Sequence, residues 1–277
     1  RPMIETDTFS RLSSGVSGPH AGLGAGRGAT TRLMHQAVDH GVTFFDTGPA
    51  YGKGEAERRL GTALKRLPRR SAFVATKAGI HPGGYRDFSA GAVEMSLRDS
   101  LKRLQRDHVD LLLLHGPSAE EMTDKLLRRL DAFRERGMIR HLGVCGRGAE
   151  LDRAIALGVF DALMAPVNQH LEPQEIERLE NARRAGLSVI GIETMAGAAR
   201  NAGPPVSRGD LWYLARQIER RFNQDPPARA GPPASEALRW ALSRPYCDSA
   251  VCLTTRPAHL AANAALVATL EADEPTP

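Results

Sequence analysis

The chain has 277 residues and a mass of 30.0 kDa, 42% hydrophobic and 25% charged, enough to bury a sizeable core and unlike a disordered or disulfide-stapled peptide. Its net charge of +5 sums 37 basic and 32 acidic residues, but these interleave, as in DKLLRRLDAFRERGMIR, and no reading motif accompanies them, so a nucleic-acid partner is not expected. No apolar run reaches the ~18 residues of a membrane helix, and the start, RPMIETDTFSRLSSG, lacks the apolar segment of a secretory signal.

Short apolar runs alternate with amphipathic helical stretches along the whole chain. A weak strand near Leu12 to Val16 is followed by a glycine-rich loop, AGLGAGRG, and a helix over Thr30–Asp39. Gly22, Gly24 and Gly26 suggest a dinucleotide-binding turn, but the third glycine of that pattern would fall on Arg27 and no strong strand precedes, so a loop at the mouth of a barrel is expected. Then come strand Val42–Asp46, helix Glu55–Arg66, strand Ala72–Lys77, helix Ala90–Gln105, strand Val109–His115, helix Ala119–Arg136 and strand His141–Cys145. The second half continues with helix Glu150–Leu157, strand Ala162–Val167, helix Pro173–Arg184, strand Ser188–Ile192, helix Pro233–Ser243, strand Ala250–Leu253 and helix Pro257–Leu270. The strands are short and continuously apolar, as strands buried on both faces must be. Glycines end helices just before strands in HGVTFFD, RGMIRHLGV and AGLSVIG.

Seven or eight βα units without a low-complexity linker predict an α/β fold, a single-domain (β/α)8 TIM barrel over residues 1–277. The stretch from Met195 to Pro232 is too long for an ordinary βα loop and carries three Pro-Pro pairs, predicting a lid-like excursion with Trp212 and Tyr213 as apolar contacts or as packing for its helix. Cys145, Cys247 and Cys252 show no C-x-x-C spacing, which argues for reduced thiols in the cytoplasm and against a disulfide framework or a metal site.

In a barrel the polar residues ending apolar strands converge on one mouth. Asp46, Lys77 and His115 end three successive strands, and Tyr51 follows in the loop TGPAYG. Each alone has a structural explanation: a cap, a snorkelling lysine, a packed histidine or a loop aromatic. Together they form a set. A lysine at the end of a dry strand needs an anion, which Asp46 supplies; a cation beside Tyr51 is expected to lower the phenol's pKa; His115 can orient a carbonyl oxygen at the same point. The set handles a proton at an oxygen but offers no nucleophile, so something else must deliver to the carbon, which points to hydride from a nicotinamide cofactor. A Schiff-base lyase using Lys77 is the competing enzyme reading, disfavoured because Asp46 keeps the amine protonated. A barrel that binds cofactor or partner without catalysis is the other alternative.

The runs GVTFFDTGPAYGKGEAERRLGTALK, AFVATKAG and VDLLLLHGPS resemble the signature region of the aldo-keto reductases, and the resemblance extends over nearly the whole chain. It implies an NADP(H)-dependent enzyme that interconverts small carbonyl compounds and alcohols, with Tyr51 as general acid, Lys77 and Asp46 tuning it, and His115 orienting the carbonyl. It also implies cofactor contacts. Cys145 and Gly146 stand where many members carry Ser-Asn, Met164 where many have Gln, Ile192 where an aromatic often stacks on the nicotinamide, and Asn168 is retained. Thr254, Thr255 and Arg256 match the 2'-phosphate loop at a helix N-terminus; His259 replaces a common Arg or Gln, and Asn263 matches an adenine contact. The carboxy-terminal tail is short, EADEPTP, which predicts an open site. Membrane partners are not expected, and among oligomeric states a monomer is favoured.

Overall fold

The computed structural model describes residues 4, 8–22, 24–68, 71–198, 208–209, 211–215 and 231–273. Eight parallel strands close in sequence order into a barrel: β1 Leu12–Gly15, β2 Phe44–Asp46, β3 Phe73–Ala78, β4 Val109–His115, β5 Ile139–Cys145, β6 Ala162–Pro166, β7 Ser188–Ile192 and β8 Ser249–Cys252. The helices around it are α1 Arg27–Asp39, α2 Glu55–Leu64, α3 Ala90–Leu104, α4 Asp124–Glu135, α5 Ala149–Leu157, α6 Pro173–Arg184, α7 Ala234–Leu242 and α8 Pro257–Asp273. The expected alternation and closure are both present.

Side chains alternate faces along a strand, and this parity sorts the core in two. Outward residues such as Val74, Leu112, Leu114, Val144 and Leu163 pack under the helices. Inward residues, among them Phe44, Phe73, Ala75, Leu111, Leu113, Met164 and Ile190, fill the barrel. Phe9, Phe44 and Phe73 meet with centroids 5.0 to 5.2 Å apart. Each fully buried ring contributes about 1.5–3 kcal/mol, and the three together plug the N-terminal end.

That end is also pinned by a repeating device the sequence analysis missed. Asp110 accepts the Val74 N–H at 2.8 Å, Asp161 the Leu142 N–H at 2.8 Å and Asp248 the Val189 N–H at 2.7 Å. Each carboxylate near the start of an even strand thus satisfies a backbone donor of the odd strand before it. Arginines neutralise them: Arg140 on Asp110 at 2.8 Å, Arg134 on Asp161 and Arg183 on Asp248 at 3.0 Å. In the β1–β2 pair Thr43 Oγ1 takes that place, accepting from Ser10 N at 2.9 Å. A cavity of about 690 Å³ at this end, lined by Arg11, Arg244 and Asp248 among others, lies away from the mouth.

Several boundaries differ from expectation. The helix expected from Ala119 starts at Asp124, because the Thr123 hydroxyl caps it by accepting from Leu126 N at 3.2 Å while Glu121 is drawn into a turn with Ser118. The helix expected from Thr30 begins three residues earlier, and β2 starts at Phe44 rather than Val42. Most of the Met195 to Pro232 excursion lies outside the described residues. Its two ends meet where Gly231 N donates to Gly197 O at 2.6 Å. Among the described residues, no helix is long and apolar enough to cross a membrane.

Candidate active site

The inward parity that places Phe44, Phe73, Ala75, Leu111 and Leu113 in the barrel continues upward to Asp46, Lys77 and His115. Those three therefore form a polar layer on the C-terminal side of the apolar plug. Lys77 is fully buried. Its Nζ donates to Asp46 Oδ1 at 2.6 Å, Asp46 Oδ2 at 2.7 Å and the Thr47 carbonyl at 2.9 Å, using all three protons. Behind it, on the outward side of β3, Thr76 donates to the fully buried Glu57 at 2.6 Å, and Arg103 closes that charge at 2.5 Å. The strand carrying Lys77 is thereby anchored to α2 and α3.

The loop from Thr47 to Gly54 returns Tyr51 over this layer. Tyr51 N donates to Gly48 O at 3.2 Å, and a Cβ on Gly48 would sit 3.3 Å from the Tyr51 ring, so glycine leaves the ring room to fold back. Gly52 has φ +58 and no space for a side chain against the Ala21 carbonyl, which a Cβ would meet at 2.3 Å. Lys77 Nζ lies 5.0 Å from the Tyr51 ring centroid. The His115 ring sits edge-on to Tyr51, centroids 6.0 Å apart at 72°. The four expected residues are therefore one cluster.

Its electrostatics correct one expectation. Burial, the largest single influence, would lower the Lys77 ammonium, but the charge of Asp46, its hydrogen bond and the smaller contributions of Tyr51 and Cys145 together outweigh it, and the net shift is upward. A lysine held charged is a poor imine former. Burial pushes the Asp46 carboxyl up while Lys77 pulls it back. Tyr51 was expected to be acidified; instead burial raises it above its ordinary value, and the lowering by Lys77 is the smaller effect, since Asp46 offsets that cation. The phenol stays protonated. His115 is pushed down to about 3 by burial and then by Lys77, Arg147 and Arg86, so its imidazole is neutral, with Nδ1 buried and without a hydrogen-bond partner.

Along the β5–β7 rim, Cys145 is buried and its thiol is pushed up to about 11, chiefly by burial. Gly146 N donates to Met164 O at 3.0 Å. Glu150 folds beneath this turn and accepts from Arg147 N at 2.5 Å and Gly148 N at 3.0 Å. Asn168 is buried, with Oδ1 accepting from His170 N at 3.0 Å in a local turn. Ile192 is half-buried on top of the barrel filling.

At the β8 rim Thr254, Thr255 and Arg256 are half-buried, and Thr254 Oγ1 accepts from Arg256 N at 3.1 Å at the start of α8. His259 is exposed in the first turn and Asn263 half-buried one turn on. His20, which the sequence analysis passed over, is buried, and burial lowers its pKa. Its Nε2 lies 2.7 Å from the Thr254 carbonyl, which makes it the donor, and Nδ1 lies 3.2 Å from Thr30 Oγ1. It ties the loop after β1 to the loop after β8. Trp212 packs its ring over Gly18, where a Cβ would meet Cη2 at 2.9 Å, and stands edge-on to Tyr213 at 5.1 Å. Trp212 thus packs its segment onto the barrel.

An eight-stranded parallel barrel with an Asp–Lys–Tyr–His cluster at its C-terminal mouth defines a (β/α)8 barrel whose titratable side chains gather on the face where such barrels carry their sites. The chain belongs to the Aldo/keto reductase family, whose model matches residues 27–275. It is 32% identical over 184 residues to the L-galactose dehydrogenase of Arabidopsis thaliana, covering 62% of this chain and 57% of that protein. It is 33% identical over 190 residues to the 6-dehydroglucose reductase of Novosphingobium aromaticivorans, covering 64% and 62%. The matched region therefore spans about six-tenths of either relative. In fold it is similar to an aldo-keto reductase from Bacillus halodurans in its holo form, with TM-score 0.76, 23% identity and coverage of 100% of this chain and 91% of the other.

Proposed function

We propose that this protein is an NADP(H)-dependent oxidoreductase that reduces an aldehyde or ketone to an alcohol, with Tyr51 as the general acid. One observation carries it: an ammonium fixed by three acceptors, at 2.6, 2.7 and 2.9 Å, lies 5.0 Å from the Tyr51 ring centroid, with the His115 ring edge-on to that phenol. A carbonyl oxygen between Tyr51 and His115 accepts the phenol's hydrogen bond on one side, and a ring N–H of His115 can donate to it from the other. As negative charge gathers on that oxygen, the phenol proton moves to it and the charge remaining on Tyr51 is stabilised by Lys77. Asp46 keeps Lys77 charged and aimed. The phenol is protonated at neutral pH, as a general acid must be, and the Lys77 cation offsets part of the acidity that burial removes.

The donor set at the β8 rim suits an adenosine 2'-phosphate: Thr254 and Thr255 hydroxyls, the Arg256 guanidinium and the N-terminus of the 17-residue α8. The apolar, half-buried Ile192 and the Cys145 and Asn168 side chains line the rim where a nicotinamide ring would lie. The bound cofactor supplies the hydride that the protein's own side chains cannot. The names of the two relatives put sugars among the substrates to try.

Titration with NADPH and NADH, followed by protein fluorescence, and then NADPH oxidation with 4-nitrobenzaldehyde and aldoses test this function. Tighter NADPH binding with aldehyde-dependent oxidation is expected. Bound NADPH with no oxidation across a broad carbonyl panel would overturn it in favour of a non-catalytic barrel.

A further inference from the structure

Arg86 and Arg147 flank the acid cluster from two sides. Strands β3, β4 and β5 are neighbours, and the loops after β3 and β5 each bring an arginine towards the His115 end of β4. Arg86 is on the return limb of a hairpin closed by the Ile80–Arg86 bridge, with its guanidinium carbon 5.1 Å over the Phe88 ring. A Cβ built on Gly116, the residue after His115, would lie 4.0 Å from Arg86 Nη1. Arg147 follows Cys145 by two residues, and Cys145 is paired with His115 in the β4–β5 register. Both cations contribute to holding His115 neutral, and Arg147 is also in electrostatic reach of Tyr51 and Cys145.

We propose that the carbonyl compound taken by this site carries an oxyanion, a carboxylate or a phosphate, which Arg86 and Arg147 hold on either side of His115; this rests on the reductase function above. Each guanidinium is parked on a solvent-facing carboxylate. Arg86 bonds Glu121 at 2.9 Å, with side chains 47% and 34% exposed, and Arg147 bonds Glu193, with side chains 61% and 46% exposed. Ion pairs this wet hold weakly, whereas the planar fork of arginine matches an oxyanion in two directions at once. A substrate anion therefore displaces or bridges the glutamates. Glu193 carries a second sign of a built site: its φ of 54 is a left-handed conformation that glutamate rarely adopts, held at the end of β7 where its carboxylate meets Arg147.

Two matched pairs test the proposal with the NADPH-loaded enzyme: succinic semialdehyde against its methyl ester, and D-glyceraldehyde 3-phosphate against D-glyceraldehyde. The expected result is a kcat/KM at least about tenfold higher for the anionic member of one pair, carried by KM; the pair that responds separates carboxylate from phosphate. Arg147→Gln and Arg86→Gln each lower that anionic-to-neutral ratio about tenfold, and the preference falls with added salt. Calorimetric titration of wild type with succinate and with inorganic phosphate reads the same site without turnover, and the same variants weaken binding of the responding anion. Equal or better turnover of both neutral members, with ratios unmoved by either variant, overturns the anion site and leaves the reductase function standing. Turnover of no member of either pair and of no other carbonyl overturns both.

Discussion

Replacing Asp46 with Asn strips the Lys77 ammonium of its counter-charge while preserving shape. The carboxylate accepts two of the three Nζ hydrogen bonds, and the lysine side chain is 2% exposed, so the cation has no route to water. Removing one partner of a buried pair costs about 3–5 kcal/mol. At about 2–4 °C per kcal/mol for a chain of this size, the melting temperature drops by about 6–20 °C. The pH dependence changes sign as well. In the wild type the Lys77 pKa is raised, so its contribution is fully present below the unfolded value of about 10.4 and lost as pH rises through the folded one. In Asp46→Asn the carboxylate no longer offsets burial, which then lowers it, so this variant gains stability as pH rises towards the unfolded value. The Asp46→Leu/Lys77→Met double variant, with no charge left buried, recovers to within about 2 kcal/mol of wild type. Circular-dichroism melts at pH 7 and 9.5 read all of this. An Asp46→Asn protein melting within about 2 °C of wild type at pH 7 would show that the ammonium is not confined as described.

The rate of carbonyl reduction is expected to be flat from pH 6 to 9, because His115 is pushed down to about 3 and Tyr51 is raised above its ordinary value; a kcat profile with an ionisation near 6.5 would contradict the neutral imidazole. Since the folded His115 binds its proton less readily than the unfolded chain, its stabilising contribution is present above about pH 6.5 and fades as pH falls towards 3, which a His115→Gln variant flattens in urea titrations. Asp161→Ala orphans the Leu142 N–H and removes one of the carboxylates that Arg134 pairs with at the far end of the barrel, lowering stability by about 1–3 kcal/mol while aldehyde turnover at 25 °C stays at the wild-type level. Arg256→Ala weakens NADPH by about 10- to 150-fold, the worth of a charge-assisted phosphate contact, and NADH by less than about twofold; equal losses for both nucleotides would remove Arg256 from the 2'-phosphate.

The barrel was legible because its strands are buried on both faces and its helices on one, so each apolar run had a single consistent period. The polar cluster was legible for the same reason: Asp46, Lys77 and His115 are the only polar ends of otherwise apolar runs on three consecutive strands. The sign of the Tyr51 shift was not, since it depends on how far burial outweighs a cation already paired with Asp46, a three-dimensional quantity. Nor were the supports. Asp110, Asp161 and Asp248 sit near strand starts where an acid looks like an ordinary turn residue, and only the barrel stagger brings each to its neighbour's N–H. His20 sits in a glycine-rich loop and bonds a residue 234 positions away. Arg147 could have been found: the strand-end reasoning that selected His115 reaches it two residues beyond Cys145.

In the proposed reaction the phenol of Tyr51 hands its proton to a bound carbonyl, and a Tyr51→Phe substitution isolates that one oxygen. Single-turnover oxidation of pre-bound NADPH by excess 4-nitrobenzaldehyde, followed at the nicotinamide absorbance, is expected to slow by about 10²- to 10⁴-fold, with the NADPH dissociation constant held within about twofold. A Tyr51→Phe enzyme that oxidises NADPH within about threefold of the wild-type rate would mean that another group, or water, protonates the substrate.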